Sequence, residues 1–290
     1  METIRVGDIR FLNSWPVTYA LRHGILPAPI HWVPGTPAEL NRRLLVGELD
    51  ASAVSSILYL RHPEELVPVP GLCIRSDAGV HSVLVVSRQP LATLKGRTIG
   101  VSNQGETTPL LLKILSRQQR LKVNLAVTGL RYPEILAEYP AALLIGDEAL
   151  RASQSADGLQ WWDLGEAWTR WSGEPFVYAL WVVRRSLLDR RPELVEELRQ
   201  VLESSYRWGR SHETELVAAM RKTFPFETTF LRRYQAALSY SLDAKAWRGL
   251  IRFTQEVERL GELPKGTARR LVRPARAGPR ARGMDYAAAR

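Results

Sequence analysis

A single cysteine, Cys73, excludes an internal disulfide and a cysteine-built metal site. The five histidines, at positions 23, 31, 62, 81 and 212, show no ligand-like spacing, so neither a metal nor another cofactor is expected. Long apolar runs are missing as well: none approaches the roughly 18 to 20 residues that cross a bilayer. The first ten residues have neither the basic start nor the apolar centre of a secretory leader. Together these absences place the protein in the cytoplasm, with no membrane span. There is no G-x-S-x-G elbow, so His81 beside Ser82 does not make a Ser-His-Asp signature.

Acid is also in short supply, with 30 Asp and Glu against 40 Lys and Arg and a formal charge of +10. Spread over a fold, that excess would point to nucleic acid. It is concentrated instead. Residues 264–290 hold eight cations and one acid, a net +7, which leaves +3 for the first 263. With Pro, Gly and Ala between its arginines, 264–290 reads as a solvated, disordered tail, and no nucleic-acid partner is expected.

What is present is a chain that is 45% hydrophobic and long enough for one large core or two modest ones. RVGDIRFLNSWP, residues 5–16, reads as a strand running into a turn that carries Asn13 and Ser14. In open α/β sheets ligands sit at that end of a strand. A helix over 16–23, capped by Asn13 or Ser14, a strand in ILPAPIHWVPG and a helix over 36–47 follow. Thr36, Pro37 and Glu39 supply a cap, a first helical residue and a reach-back carboxylate. A strand over 49–54 then leads to a third helix opened by Ser55 and Ser56. Strand-helix alternation with short connections predicts a parallel sheet with right-handed crossovers.

HSVLVVSR (81–88) and YALWVVRR (178–185) are matching apolar runs, as strands buried on both faces require. Between them the pattern predicts strands in RTIGVSNQ, NLAVTGLR and AALLIGDEAL, with helices over 107–117 and 133–138. Beyond 185 the spacing turns helical over 189–206, 211–222, 230–240 and 244–260. These helices are expected to pack on the first lobe and to offer little chemistry. The fold predicted is α/β, a two-lobed venus-flytrap with two hinge crossings: 1–86 and 182–263 form lobe I, 87–181 lobe II.

Chemistry is then expected where loops of both lobes meet. Thr107 and Thr108 open a helix after a turn at Gly105, so free backbone N–H groups and two hydroxyls could hold a carboxylate or phosphate. Ser55 and Ser56 offer the same on the other lobe. The competing reading of each pair is an ordinary helix cap. Asn13 reads equally as a turn residue, and Ser82 faces either the cleft or the core. Asp147 is read mainly as a partner for local backbone. The aromatic block from Trp161 to Trp181 is expected as lobe core or cleft wall.

Several of these segments, in order, resemble one family. RVGDIRFLNSWP, GELDASAVSS, VPGLCIRSDAGVHSVLVVS, ETTPLLLKIL, ALLIGDEAL and WDLGEAWTRWSGEPFVYALWVVRR look like the chorismate dehydratases of the futalosine route to menaquinone. The resemblance spans residues 4 to 260. It implies a periplasmic-binding-protein type II fold, a dianionic small-molecule substrate, chorismate, and loss of water as the reaction. By motif it assigns Asn13 and Ser82 to the reacting ring carbon, and Ser55, Ser56, Thr107 and Thr108 to the substrate carboxylates. The related 1,4-dihydroxy-6-naphthoate synthases share the DLG and tryptophan block. Their N-terminal motif is of the SPCPNDTF kind and they carry a histidine where this chain has Gly146-Asp147. A non-catalytic protein of this fold that binds a small anion is the remaining alternative.

Overall fold

The computed structural model describes residues 3–102, 105–155 and 158–272. Three runs of elements follow one another. The first is β1 (Ile4–Asp8), a 3-10 turn over Leu12–Ser14, α1 (Trp15–Arg22), β2 (Ile30–Pro34), α2 (Pro37–Leu45), β3 (Ala51–Ser55), α3 (Ser56–Arg61) and β4 (Leu66–Ser76). The second is β5 (Val83–Ser87), β6 (Thr98–Ser102), α4 (Thr107–Gln118), β7 (Asn124–Thr128), α5 (Ile135–Glu138), β8 (Ala141–Ile145), α6 (Gly146–Ser153), β9 (Gln160–Asp163) and α7 (Leu164–Ser172). The third is β10 (Phe176–Arg184), α8 (Arg185–Arg190), α9 (Pro192–Ser211), α10 (Glu213–Thr223), α11 (Thr228–Ala237), β11 (Ser239–Leu242), α12 (Ala244–Arg259) and α13 (Thr267–Val272).

Two sheets result, ordered β11-β4-β10-β3-β1-β2 and β7-β6-β8-β5-β9. Each contains a parallel trio, β2-β1-β3 in one and β7-β6-β8 in the other. Beside each trio lies an antiparallel strand that the chain delivers from the other lobe: β10 against β3, β5 against β8. The sheets are therefore mixed, not wholly parallel as the alternation predicted. The matching runs HSVLVVSR and YALWVVRR are these two equivalent strands, one per sheet. Sheet membership moves the expected lobe boundaries accordingly. All of β5 belongs with the second sheet and all of β10 with the first, so the chain crosses within 77–82 and 164–175, not at 87 and 181.

β5 shows why such strands are apolar throughout. Val83 and Val85 join a cluster that also holds Val6, Val54, Leu111, Leu143 and Leu180. Leu84 and Val86 face the other way, into a small cluster with Ile135, Leu136, Ala149 and Ala152 of α5 and α6. Trp168, Phe176 and Trp181 of the aromatic block are core, Trp171 is half-buried against it, and Trp161 is exposed. Trp168 is fully buried, with Phe176 and Phe253 edge-on at 5.4 and 6.1 Å.

Other expectations are corrected by local geometry. AALLIGDEAL is strand only to Ile145. Gly146 takes φ +58, the left-handed region that glycine enters freely, and opens α6. The helix expected over 230–240 stops at Ala237, and β11 adds to the first sheet as an antiparallel neighbour of β4. Ser14 does not cap α1 with its side chain. Its hydroxyl instead donates to the carbonyls of Ile9 and Phe11, at 2.9 and 2.8 Å. The expected tail is helical over Thr267–Val272, where Thr267 and Ala268 are buried as α13 packs on α12. The rest of that stretch, 273–290, and the Asn103-Gln104 end of RTIGVSNQ lie outside the described residues.

Candidate active site between the lobes

The turn after β1 presents Asn13, and three groups fix it. Ser14 ties the turn to itself as above. The Tyr240 hydroxyl, from β11, donates to the Asn13 carbonyl at 2.8 Å. The Leu12 N–H donates to Oδ1 of Asp147, which comes from the other lobe, at 3.2 Å. The reading of Asp147 as a partner for local backbone is thus corrected, since its partner lies 135 positions away. Burial pushes its carboxyl up, and the Leu12 amide and Arg151 partly oppose that.

Ser82 ends the first crossing and is 4% exposed. Asp163, which caps α7, holds that crossing in place. One carboxylate oxygen accepts from the N–H groups of Val80 and His81 at 2.8 and 2.7 Å. The other accepts from Gly165 and Glu166 at 2.9 and 3.1 Å. The Ser82 carbonyl accepts from the Gly146 N–H at 2.8 Å. Burial pushes up the hydroxyl of Tyr234 in α11, and Ser82 partly opposes that. Tyr178 and Tyr240 are raised by burial in the same way, so at neutral pH all three phenols keep their protons. The C-terminal elements, expected to offer little chemistry, supply two of these three hydroxyls.

The paired hydroxyls at the helix starts meet across the cleft. Ser56 Oγ donates to the Val177 carbonyl at 2.6 Å, while Ser55 Oγ is buried without a hydrogen-bond partner. Thr107 Oγ1, from α4, accepts from the N–H of Ile57 in the first turn of α3 at 3.1 Å. Thr108 is buried beside Gly105. A Cβ at Gly105 would come within 2.8 Å of the Ile145 Cδ1, so a larger residue there requires the tip of that side chain to shift.

The expected residues fall into two groups. Gly146 and Asp147 link the Asn13 turn to Ser82, and the Thr107–Ile57 bond joins α4, with Thr108, to the start of α3 at Ser55 and Ser56. Neutral amide and hydroxyl groups predominate among them, and the carboxylates nearby are Asp147, Asp163 and Glu106, the last paired with Arg61. Sequence reasoning missed Asp163, Tyr234 and Tyr240. The D-L-G-E pattern of a capping acid was there to be read for Asp163. Nothing local marks the tyrosines. Among the described residues no cluster of His, Cys, Asp and Glu could hold a metal, and no helix is long and apolar enough to cross a membrane.

Residues 4–259 match the model of a family described as menaquinone biosynthesis. The chain belongs to that family. Within reach of it, the chorismate dehydratase of Thermus thermophilus is 28% identical over 276 residues, covering 88% of this chain and 95% of that protein. The 1,4-dihydroxy-6-naphtoate synthase of the same organism is 28% identical over 230 residues, covering 76% and 79%. Among solved structures, a protein from Archaeoglobus fulgidus superposes with a TM-score of 0.74 at 20% identity, over 89% of this chain and 98% of that one. The periplasmic aliphatic sulphonate binding protein of Escherichia coli gives 0.66 at 16%, over 93% and 97%. The family member described here thus has the periplasmic-binding-protein fold, as the resemblance implied.

Proposed function

We propose that this chain is a chorismate dehydratase, a cytoplasmic lyase that converts chorismate to 3-[(1-carboxyvinyl)oxy]benzoate and water for menaquinone biosynthesis. The relative with that activity matches more of the chain than the naphthoate synthase does, 276 residues against 230. Loss of water suits the site's chemistry. The ring proton beside the enol ether is acidified by conjugation with the ring carboxylate. When that C–H bond breaks, its electron pair enters the ring, the C–O bond to the hydroxyl breaks, and the hydroxide leaves as water with a proton. Aromatisation supplies the driving force. The protein's task is to hold a dianion in the reactive conformation, which is positioning and electrostatics more than strong acid or base.

The observation that carries the reading is Ser55 Oγ, a buried hydroxyl without a hydrogen-bond partner at the start of α3. Leaving it unmatched costs about 1–3 kcal/mol, which a substrate carboxylate accepting its proton recovers. In this reading the first-turn amides of α4 and Thr108 receive the second carboxylate, with Ser56 and Thr107 shaping the walls. Asn13 and Ser82 orient the leaving hydroxyl and the group that takes the ring proton, and that base is a substrate carboxylate.

The test is to incubate purified protein with chorismate, without added metal or cofactor, and to follow the products by chromatography with mass detection. A product lighter by one water, formed faster than in the protein-free control, is expected. Unchanged chorismate with a folded protein overturns the reading and leaves the synthase or an anion-binding role.

A further inference from the structure

The two residues assigned to the reacting carbon come from separate parts of the chain. Asn13 follows β1 in the first lobe, and Ser82 ends the first crossing. Two consecutive residues of the second lobe hold both. Gly146 donates its N–H to the Ser82 carbonyl at 2.8 Å, and Asp147 accepts the Leu12 N–H at 3.2 Å. The left-handed φ of +58 at Gly146 turns the chain sharply from β8 into α6 between these two bonds. A side chain at 146 would be strained there, and its Cβ would already touch the Phe11 ring at 3.6 Å.

We propose that Gly146-Asp147 is a strut that sets the separation of Asn13 and Ser82, with Asp147 acting as a positioning residue through the Leu12 amide rather than as a proton carrier. The proposal rests on reading the cleft as the dehydration site. Asp147 reaches the Asn13 turn only when the second lobe lies against the first, so lobe closure and assembly of the reacting groups become one event. The groups that face Asp147 fit this role. Tyr234 approaches it from α11, and Arg151 lies one turn on along α6. An acceptor at this position is useful in either protonation state, because a neutral carboxyl still offers its carbonyl oxygen to an amide.

The test compares wild type, Asp147→Asn and Asp147→Ala by two readouts. The first is hydrogen exchange at the Leu12 amide in the intact protein. The second is kcat and KM with chorismate. Asparagine keeps an acceptor and alanine does not. Exchange at Leu12 is therefore expected to quicken about tenfold or more in Asp147→Ala and to stay near wild type in Asp147→Asn. In the same series kcat falls about 10- to 100-fold for alanine with KM little changed, while asparagine retains most turnover. If Asp147→Ala does not fold, Asp147→Ser, too short to reach Leu12, takes its place with the same expectation. Unchanged Leu12 exchange in the alanine or serine variant overturns the strut. So does an asparagine variant as inactive as alanine with Leu12 still protected, which would make Asp147 a proton carrier. If wild type leaves chorismate intact, the dehydration reading fails, and the exchange series alone then supports or overturns the strut.

Discussion

At the start of α3, Ser55 keeps a buried hydroxyl with no partner; at the start of α4, Thr107 gives its oxygen to the Ile57 amide across the cleft. In sequence these are the same device, a pair of hydroxyls opening a helix after a strand. In three dimensions one start keeps an unmatched hydroxyl and the other braces it. Thr107 completes a cap that α3 lacks from its own residues, since Ser55 makes no side-chain cap bond. A binding hydroxyl and a bracing hydroxyl are told apart by what they already touch, and that follows from how the lobes meet.

The largest expected effect tests whether the helix starts only hold while chemistry lies elsewhere. Asn13→Ala and Ser82→Ala should each lower kcat by about 10²- to 10⁴-fold, measured by product formation, with KM changed far less. Loss of KM alone in both would merge them with the holding groups and erase the division. Next is the clamp beneath Ser82. Asp163→Ala leaves four backbone N–H groups without their acceptor. It should cost about 2–4 kcal/mol in denaturant unfolding, more than a helix cap alone.

The comparison itself is sharpened by a pair of substitutions. Ser55→Ala breaks no protein hydrogen bond and removes an unmatched hydroxyl, so it should raise KM about tenfold and leave the melting temperature at or above that of wild type. Thr107→Val leaves the Ile57 N–H unpaired and should destabilise by about 1–3 kcal/mol. If the two variants behaved alike, the distinction between open and bracing starts would fail.

How much of this the sequence carried depends on how local each cause is. The capping box of α2 was legible because Thr36 and Glu39 satisfy each other three residues apart, at 2.8 and 3.3 Å. β4 was not. Pro68, Pro70 and Gly71 punctuate it, and its register shifts against β10 absorb the irregularity. The assignment of Asn13, Ser55 and Ser82 to one site followed from the order of motifs. Their supports did not, because the partners of Asn13 and Leu12 lie 227 and 135 positions along the chain. The two matching apolar runs signalled buried strands correctly and misplaced the lobe boundaries, since each run belongs to the sheet opposite the one its neighbours in sequence suggested.

Smaller effects remain. Burial raises the Asp147 carboxyl, so the folded chain holds that proton more tightly than the unfolded one. Its contribution to stability is present below about pH 4 and is lost as pH rises through the folded value. Asp147→Asn removes that dependence. It should melt at or above wild type at pH 7, and the difference should close in acid. The smallest effect concerns the exposed pair of Arg61 with Glu106, 2.6 Å apart between α3 and the residue before α4. Arg61→Gln should change stability by less than about 1 kcal/mol, and salt should shrink even that.

The most direct measurement is a crystal structure of the protein with the dehydration product bound. The account predicts one carboxylate on Ser55 Oγ, the other at the first turn of α4, and the ring edge between Asn13 and Ser82, with Thr107 still on the Ile57 amide. An anion seated away from Ser55, or a ring that touches neither Asn13 nor Ser82, would contradict it.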